Sequence, residues 1–314
     1  MTDPIPKIIH QVWIAAPGTV APESEMKDPS NVLEKLPLKW RHCSARYKAF
    51  CDAAGWEYRV WTNASARELI ATHFPWFLEQ YDGYAYAIQR ADAIRYFILQ
   101  HYGGIYSDLD MAPKANFTAF YEMYKNADVA LASNSSDHRF GTEHFINGFL
   151  MSKPGAEFWT VVWKHLKQPG QSKWWKRVAI ARTHYFKILF TTGPGIICDS
   201  FAEYDPHHTK LAVIPAELVQ PLRTAQHKDV ISTPESVVEL VEGESWQQKD
   251  ANVWRAMGEV INNAQWILLG LTIAFFLVIV LLAVQLRRCK RTAVDKDTAR
   301  KKKALLAYGE WPDD

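Results

Sequence analysis

The 314-residue sequence predicts a layered α/β fold with a largely parallel sheet, followed by one membrane-spanning helix. Three observations predict it. Short apolar runs alternate with segments of helical period from residue 7 to residue 214. An acidic pair, Asp108 and Asp110, closes one apolar run, at the kind of strand end where α/β sheets place ligands. Trp266 to Leu286 is a run of 21 residues without a charge.

Lys7 to Ala15 (KIIHQVWIA) reads as a strand, and the Pro-, Gly- and acid-containing stretch 17–29 as a loop. Residues 38–54 fit a helix with Trp40, Tyr47 and Phe50 on one face, ended by Gly55. Trp56 to Trp61 alternates and reads as a strand. Residues 64–72 form a short helix before a turn at Pro75. Tyr84 to His101 is a longer helix, stopped by Gly103 and Gly104. Strands follow at Ile105–Leu109, Asp128–Ser133 and Phe145–Met151. Residues 155–167 and 174–190 read as helices, and Leu211–Ile214 as a late strand. Apolar residues at 48% and charged residues at 22% exclude a disordered or collagen-like chain, and four cysteines are too few for a disulfide scaffold. Basic and acidic residues number 36 and 34, so bulk electrostatics point to no nucleic-acid partner.

The uncharged run divides the chain into an α/β domain (1–250), a juxtamembrane segment (251–265), the spanning helix (266–286) and a basic tail (287–314). Arg287, Arg288, Lys290 and Arg291 follow the span, and Arg300 to Lys303 add four more basic residues. That bias puts the tail in the cytosol and residues 1–265 in the lumen. The opening MTDPIPKIIHQVW has no basic region followed by an apolar one, so a tail anchor with a cytosolic domain is the alternative. Sequons at Asn63, Asn116 and Asn134 lean toward the lumen.

The chemistry concentrates in YAYAIQRADAIRYFILQHYGGIYSDLD, residues 84–110. Asp92 and Arg95 are i,i+3 neighbours on one helix face. In the following strand Tyr106, Asp108 and Asp110 alternate onto one side. Two carboxylates presented into one space repel each other, and a divalent cation relieves that cost. Oxygen ligands suit Mg²⁺ or Mn²⁺, which keep positions open for phosphate oxygens. Arg90 and Arg95 can neutralise a diphosphate, and Asp92 can hold sugar or ribose hydroxyls. An Arg–Asp salt-bridge network would explain the helix residues but not Asp108 and Asp110.

IPKIIHQVW near the start, paired with QRADAIRYFILQHYGGIYSDLD, resembles the D-x-D glycosyltransferases of family 32. PWFLEQYDGYAYAIQRADAIRYF, NGFLMSKPGAEFW and TTGP are most similar to the fungal branch that mannosylates inositol phosphorylceramide. The resemblance covers residues 4–250. It implies a GT-A (Rossmann-like) fold, a nucleotide-sugar donor (GDP-mannose) and Mn²⁺ or Mg²⁺ as cofactor. Trp13 falls where relatives stack the nucleotide base, and Asp92 and Arg95 where they hold donor sugar and diphosphate. Asp108 and Asp110 form the metal motif, and Asn147 lies in a stretch lining the sugar pocket. Ser245 and Trp246 fall in the element that completes the metal and phosphate site. Arg90 and Tyr106 join the donor-binding set. The resemblance also implies retention of configuration, a Golgi or endoplasmic reticulum membrane, inositol phosphorylceramide as lipid acceptor, and a regulatory membrane subunit as partner. An initiating α-1,6-mannosyltransferase acting on protein-linked glycans, and a non-catalytic subunit of the same fold, are the alternatives.

Residues 158–198 carry seven basic residues (Lys164, Lys167, Lys173, Lys176, Arg177, Arg182 and Lys187) and no acid. Trp159, Trp163, Trp174 and Trp175 are interleaved with them. The stretch reads either as a membrane-interfacial surface for the lipid acceptor or as two amphipathic helices with solvated lysines.

Overall fold

The computed structural model describes residues 3–15, 29–134, 145–171, 174–204, 210–219, 230–231, 233–241, 270–288, 290–291, 294, 296–301 and 303. The chain forms two compact units, Met1–Val253 and Trp254–Asp314.

The first unit opens with β1 (Ile8–Val12), α1 (Pro29–Lys35), α2 (Leu38–Ala54), β2 (Glu57–Trp61) and α3 (Asn63–His73). A 3₁₀ turn at Pro75–Phe77 leads to α4 (Leu78–Asp82), α5 (Ala87–Tyr102), β3 (Gly104–Ser107), β4 (Met111–Pro113) and α6 (Phe117–Tyr124). Then come β5 (Val129–Ser133), β6 (Phe145–Ser152), α7 (Phe158–Lys167), α8 (Trp174–Arg182), α9 (His184–Thr191) and α10 (Pro194–Glu203). β7 (Leu211–Ile214), α11 (Ala216–Val219), β8 (Val230–Ile231) and β9 (Val238–Val241) complete the described part.

Six strands form the main sheet in the order β2-β1-β3-β6-β5-β7. β1 pairs in parallel with β2 and β3, and β5 with β7, but β6 runs antiparallel to both its neighbours. The sheet is therefore mixed, with parallel pairs on both sides of β6. Side chains alternate into two apolar layers, as the strand period requires. Tyr106, Leu131 and Leu150 join the layer under α5, α7 and α10, while Ile105, Ala130 and Met151 join the layer under α2 and α6. The long helix α5 is sheathed on nearly every side, with Ala93, Ile94, Phe97 and Ile98 fully buried. It stops where the sequence predicts. Gly103 and Gly104 both have positive φ (65° and 95°), and a β-carbon on Gly104 would lie 2.6 Å from Ile8 O. Only glycine lets the chain turn there and pass so close to β1.

His10 locks this junction. Its Nε2 donates to Gly103 O (3.0 Å), and its Nδ1 accepts from Trp61 Nε1 (3.2 Å). Both bonds suit the neutral ring, and burial holds its pKa down at about 3. The unfolded chain takes up a proton below the ordinary value near 6.5, and the folded chain does so only near 3. Stability should thus fall across that window by about 1.4 kcal/mol per pH unit from this residue. Thermal unfolding of the detergent-solubilised chain between pH 7 and 5 checks this. His10→Gln should be less stable at pH 7 and have a flatter pH slope; an unchanged slope would refute the assignment.

The structure corrects three expectations. The strand expected over 105–109 ends at Ser107, and Asp108 to Asp110 form the turn into β4. The helix expected over 174–190 is two helices, because Thr183 caps the second: its Oγ1 accepts from Phe186 N (3.1 Å). α6, α10 and the small sheet β4-β9-β8 lie where no element was expected.

In the second unit, Gly270–Arg288 is a 19-residue helix long and apolar enough to cross a membrane. Its length is about 28 Å. Leu271, Phe275, Phe276, Leu281 and Leu286 are all exposed, as suits a helix solvated by lipid. Trp266 to Leu269, expected as the start of the span, lie outside the described residues.

Candidate active site

β1 and β3 are parallel, so their carboxyl ends open on the same edge of the sheet. Trp13 follows β1 there, and Asp108 and Asp110 follow β3. Helix α5 runs beneath, and β6 brings Asn147 alongside. The edge matches the ligand position expected of open α/β sheets.

Arg95 is the hub. It is buried, and its guanidinium contacts Asp92 Oδ1 (2.8 Å), Asp108 Oδ1 (3.1 Å) and Asn147 O (2.7 Å). Its Nε donates to Ala91 O (3.2 Å), and its plane covers the Tyr106 ring at 4.4 Å. Burial disfavours its charge, but Tyr106, Asp108 and Asp92 outweigh burial and raise its pKa. Asp92 is also buried. Burial raises its pKa to about 6, Asp108 adds to the rise, and Arg95, Asn147 and Thr192 oppose it. Asn147 Nδ2 donates to Asp92 Oδ1 (3.0 Å), and Thr192 Oγ1 to Asp92 Oδ2 (3.4 Å). Tyr106 stays a phenol, since burial drives its pKa well up, and it donates to Asp108 Oδ1 at 2.6 Å.

The backbone of Asp108 is fixed as firmly. Its N–H donates to Gly148 O (2.8 Å), and its carbonyl accepts from Gln11 Nε2 (3.1 Å) and Met111 N (3.1 Å). Gln11 is held in turn by Tyr58 OH (2.6 Å). Both side-chain donors to Asp108 fall on Oδ1. On the other oxygen, a β-carbon at Gly148 would lie 2.5 Å from Oδ2, so glycine keeps that space open. The Asp108 side chain is 35% exposed, and Asp110 is half-buried. Asp108 thus offers a hard carboxylate oxygen on an open space, a ligand of the kind a divalent cation takes, and Asp110 stands two residues on in the same turn. Among the described residues no third His, Cys, Asp or Glu joins them in a metal-holding group.

The structure thus brings together Asp92, Arg95, Tyr106, Asp108 and Asn147. Arg90 turns elsewhere, donating from Nη1 to Tyr84 O (2.8 Å). Trp13 is half-buried, its N–H bonded to Trp61 O (2.8 Å). Ser245 and Trp246 lie outside the described residues. Sequence reasoning gave no role to Gly148, Gln11 and Thr192, although each stands in a string that carries the resemblance: Gly148 in NGF, Gln11 in IPKIIHQVW and Thr192 in TTGP.

The basic, Trp-rich stretch is not one interfacial face. Trp159 is core, donating to Ser152 Oγ (2.8 Å), and Trp163 stacks on Phe97 at 5.4 Å. Lys176 is buried, with its ammonium 2.6 Å from Asp199 Oδ1 and 4.8 Å from the Phe190 ring centre. Lys164 pairs with Glu203. Lys173 and the side chains of Trp174, Trp175 and Arg182 lie outside the described residues. Breaking a buried pair costs about 3 kcal/mol. Lys176→Gln should therefore lower the unfolding temperature by several degrees, and Lys167→Gln should not. Equal shifts in a melting experiment would contradict the burial of Lys176.

Residues 40–134 match the family model described as a glycosyltransferase sugar-binding region containing a DXD motif. Curated relatives include inositol phosphoceramide mannosyltransferase 3 of Schizosaccharomyces pombe, 31% identical over 79% of this chain and 57% of that protein. Inositol phosphoceramide mannosyltransferase 2 of the same yeast is 27% identical over 79% of this chain and 60% of that protein. Mannosyl phosphorylinositol ceramide synthase SUR1 of Saccharomyces cerevisiae is 28% identical over 87% and 59%. The chain spans about 60% of the length of these relatives. Among solved structures, the ligand-free glycosyltransferase domain from the YGT toxin is similar at a TM-score of 0.41, with 9% identity over 72% of this chain and 84% of that one.

Proposed function

We propose that this chain, a DXD-containing glycosyltransferase by its residues 40–134, moves mannose from GDP-mannose to inositol phosphorylceramide with retention of configuration. The observation that carries the reading is the set of curated relatives named for that acceptor. The geometry supports it, because the DXD turn, Asp92 and Asn147 are wired through one buried arginine.

Asp108 and Asp110 would hold a Mn²⁺ or Mg²⁺ ion, whose chemistry is to neutralise charge on the departing diphosphate. Asp92 and Asn147 present polar atoms to the sugar hydroxyls. Arg95 fixes both carboxylates in place before substrate arrives, so the polar groups need no reorganisation during transfer. Trp13 offers a ring for the guanine base, and Ser245 and Trp246 join the donor site in this reading, whereas Arg90, held on Tyr84 O, does not. Among the described residues no carboxylate beside Asp92 and Asp108 suits a nucleophile, so the acceptor hydroxyl attacks from the face the diphosphate leaves.

Membranes containing the protein, incubated with a panel of labelled nucleotide sugars and then extracted for lipid, test the reading. Label from GDP-mannose should enter a phosphoinositol-containing lipid. Label confined to protein glycans would install the protein-glycan reading, and no label from any donor the non-catalytic one.

The proposed residence is a Golgi or endoplasmic reticulum membrane, with a lumenal domain and a regulatory membrane subunit as partner. The sequons are poor reporters of this, because the Asn63 amide is clasped to Ala15 and that of Asn116 bonds Ser236 O. In sealed microsomes, added protease should remove an epitope on the tail and spare residues 1–265. The reverse pattern would establish the tail-anchored topology.

A further inference from the structure

Helix α9 sets two side chains, His184 and Lys187, against the start of α5. Tyr86 precedes α5, and the His184 ring meets it edge-on at 4.3 Å between ring centres. The Lys187 ammonium lies 6.0 Å from the same Tyr86 ring centre. Among the described residues the His184 ring makes no hydrogen bond, its Nδ1 being buried without one, and Lys187 has no carboxylate partner. A ring and an ammonium without hydrogen-bond or carboxylate partners in the protein retain donor capacity that an anionic ligand can take up.

The surrounding charge selects the ligand. Helices α8 and α9 contain no acidic residue, nor does the segment 83–86 leading into α5. The acids nearest in sequence are committed: Asp82 to Arg67, and Asp92 to Arg95. Arg90 folds back onto Tyr84 O and adds a positive charge to the same turn. The first turn of α5 contributes positive potential as well.

The position selects the source. From this end, α9 runs to the catalytic residues. Thr191 Oγ1 accepts from Gln89 Nε2 (2.8 Å), and Thr192 bonds Asp92. Along α5, Tyr86 and Asp92 are six residues apart, about 9 Å. A ring bearing a phosphodiester on one carbon and an accepting hydroxyl on another would bridge the two.

We propose that His184 and Lys187, packed on Tyr86, form a subsite for the anionic phosphodiester of the acceptor. The identity of that acceptor rests on the function proposed above. The subsite replaces Lys176, which is committed to Asp199, as the basic element that meets the headgroup.

The test is equilibrium binding and transfer with the full-length protein in detergent, using glycerophosphoinositol, myo-inositol and inorganic phosphate as probes. The parent should bind glycerophosphoinositol well above the other two. Lys187→Gln and His184→Gln should each weaken that binding about tenfold and leave myo-inositol binding and donor hydrolysis unchanged. Lys187→Arg should retain most of the affinity, which separates lost charge from lost folding, and Lys167→Gln should change nothing. Unchanged affinity in both glutamine variants, or equal losses with charged and neutral probes, would overturn the subsite. Equal binding of inorganic phosphate would make it a general anion site and overturn the headgroup assignment. If the variants lose glycerophosphoinositol binding while the parent makes no mannosylated lipid, the subsite stands and the proposed reaction falls. If the parent makes that lipid and both glutamine variants make it equally well, the reaction stands and the subsite falls.

Discussion

Arg95→Met should be among the most destabilising single changes in the α/β unit, at about 3–5 kcal/mol. Arg95 is 3% exposed and Asp92 is 5% exposed, so solvent cannot take over when the cation is removed. Asp92 would retain Asn147 and Thr192 as donors but lose the charge that balances it. Asp108 Oδ1 would retain the Tyr106 hydroxyl and lose the guanidinium, and Asn147 O would lose its 2.7 Å donor. Lysine is no rescue, because one ammonium cannot reach both carboxylates and the Asn147 carbonyl in fork geometry. Thermal unfolding in detergent should show a fall of about 10 °C for a domain of this size. Adding Asp92→Asn should restore part of the loss, since the uncompensated anion is then gone, and the double variant should exceed the sum of the singles by at least about 1 kcal/mol. A fall of under about 2 °C for Arg95→Met would mean that the hub does not hold these elements together.

Much of this site was legible in the sequence, for a specific reason. Asp92 and Arg95 sit at i,i+3 on a helix whose boundaries are punctuated by Tyr86 and by Gly103 and Gly104, so local rules sufficed to pair them. The same rules placed Tyr106, Asp108 and Asp110 on one side of the strand expected over 105–109; the strand ends at Ser107, but Tyr106 and Asp108 do meet. What local rules could not supply were contacts between segments far apart in sequence. Asn147 and Gly148 reach Asp108 only because β6 inserts antiparallel beside β3, and nothing in either strand announces that direction. Thr192 reaches Asp92 across 100 residues. The basic stretch failed for a related reason. Composition counts charges but not their partners, and Lys176 finds Asp199 two helices later, just outside the acid-free window. Helix α6 was missed because at eight residues Phe117, Phe120 and Tyr121 make too short a period to stand out, and α10 because Ile196, Ile197 and Cys198 are consecutive and show no helical period.

Asp108→Asn and Asp110→Asn should each lower transfer by about 10²–10⁴ while leaving the fold intact. The stability half of this expectation comes from the contacts of Asp108. An asparagine oxygen can still accept from Tyr106 OH and Arg95 Nη1, and the backbone bonds to Gly148 O, Gln11 and Met111 do not involve the side chain. Removing one of two neighbouring anions also relieves repulsion when no cation is bound. The activity half comes from the donor set. An amide oxygen is a weaker ligand than a carboxylate for a hard cation, and Asp108 and Asp110 are the pair that would hold it. Three measurements separate the causes. Unfolding temperatures should match the parent in chelator-stripped buffer. Added Mn²⁺ should stabilise the parent but neither variant, since only a chain that binds the ion gains from it. Donor hydrolysis and mannosyl transfer should fall together, because both depend on the departing diphosphate rather than on the acceptor. Transfer at the parental rate by either variant, with the metal controlled, would sink the assignment of the turn as a metal site and leave the buried Arg95 network as its sole purpose.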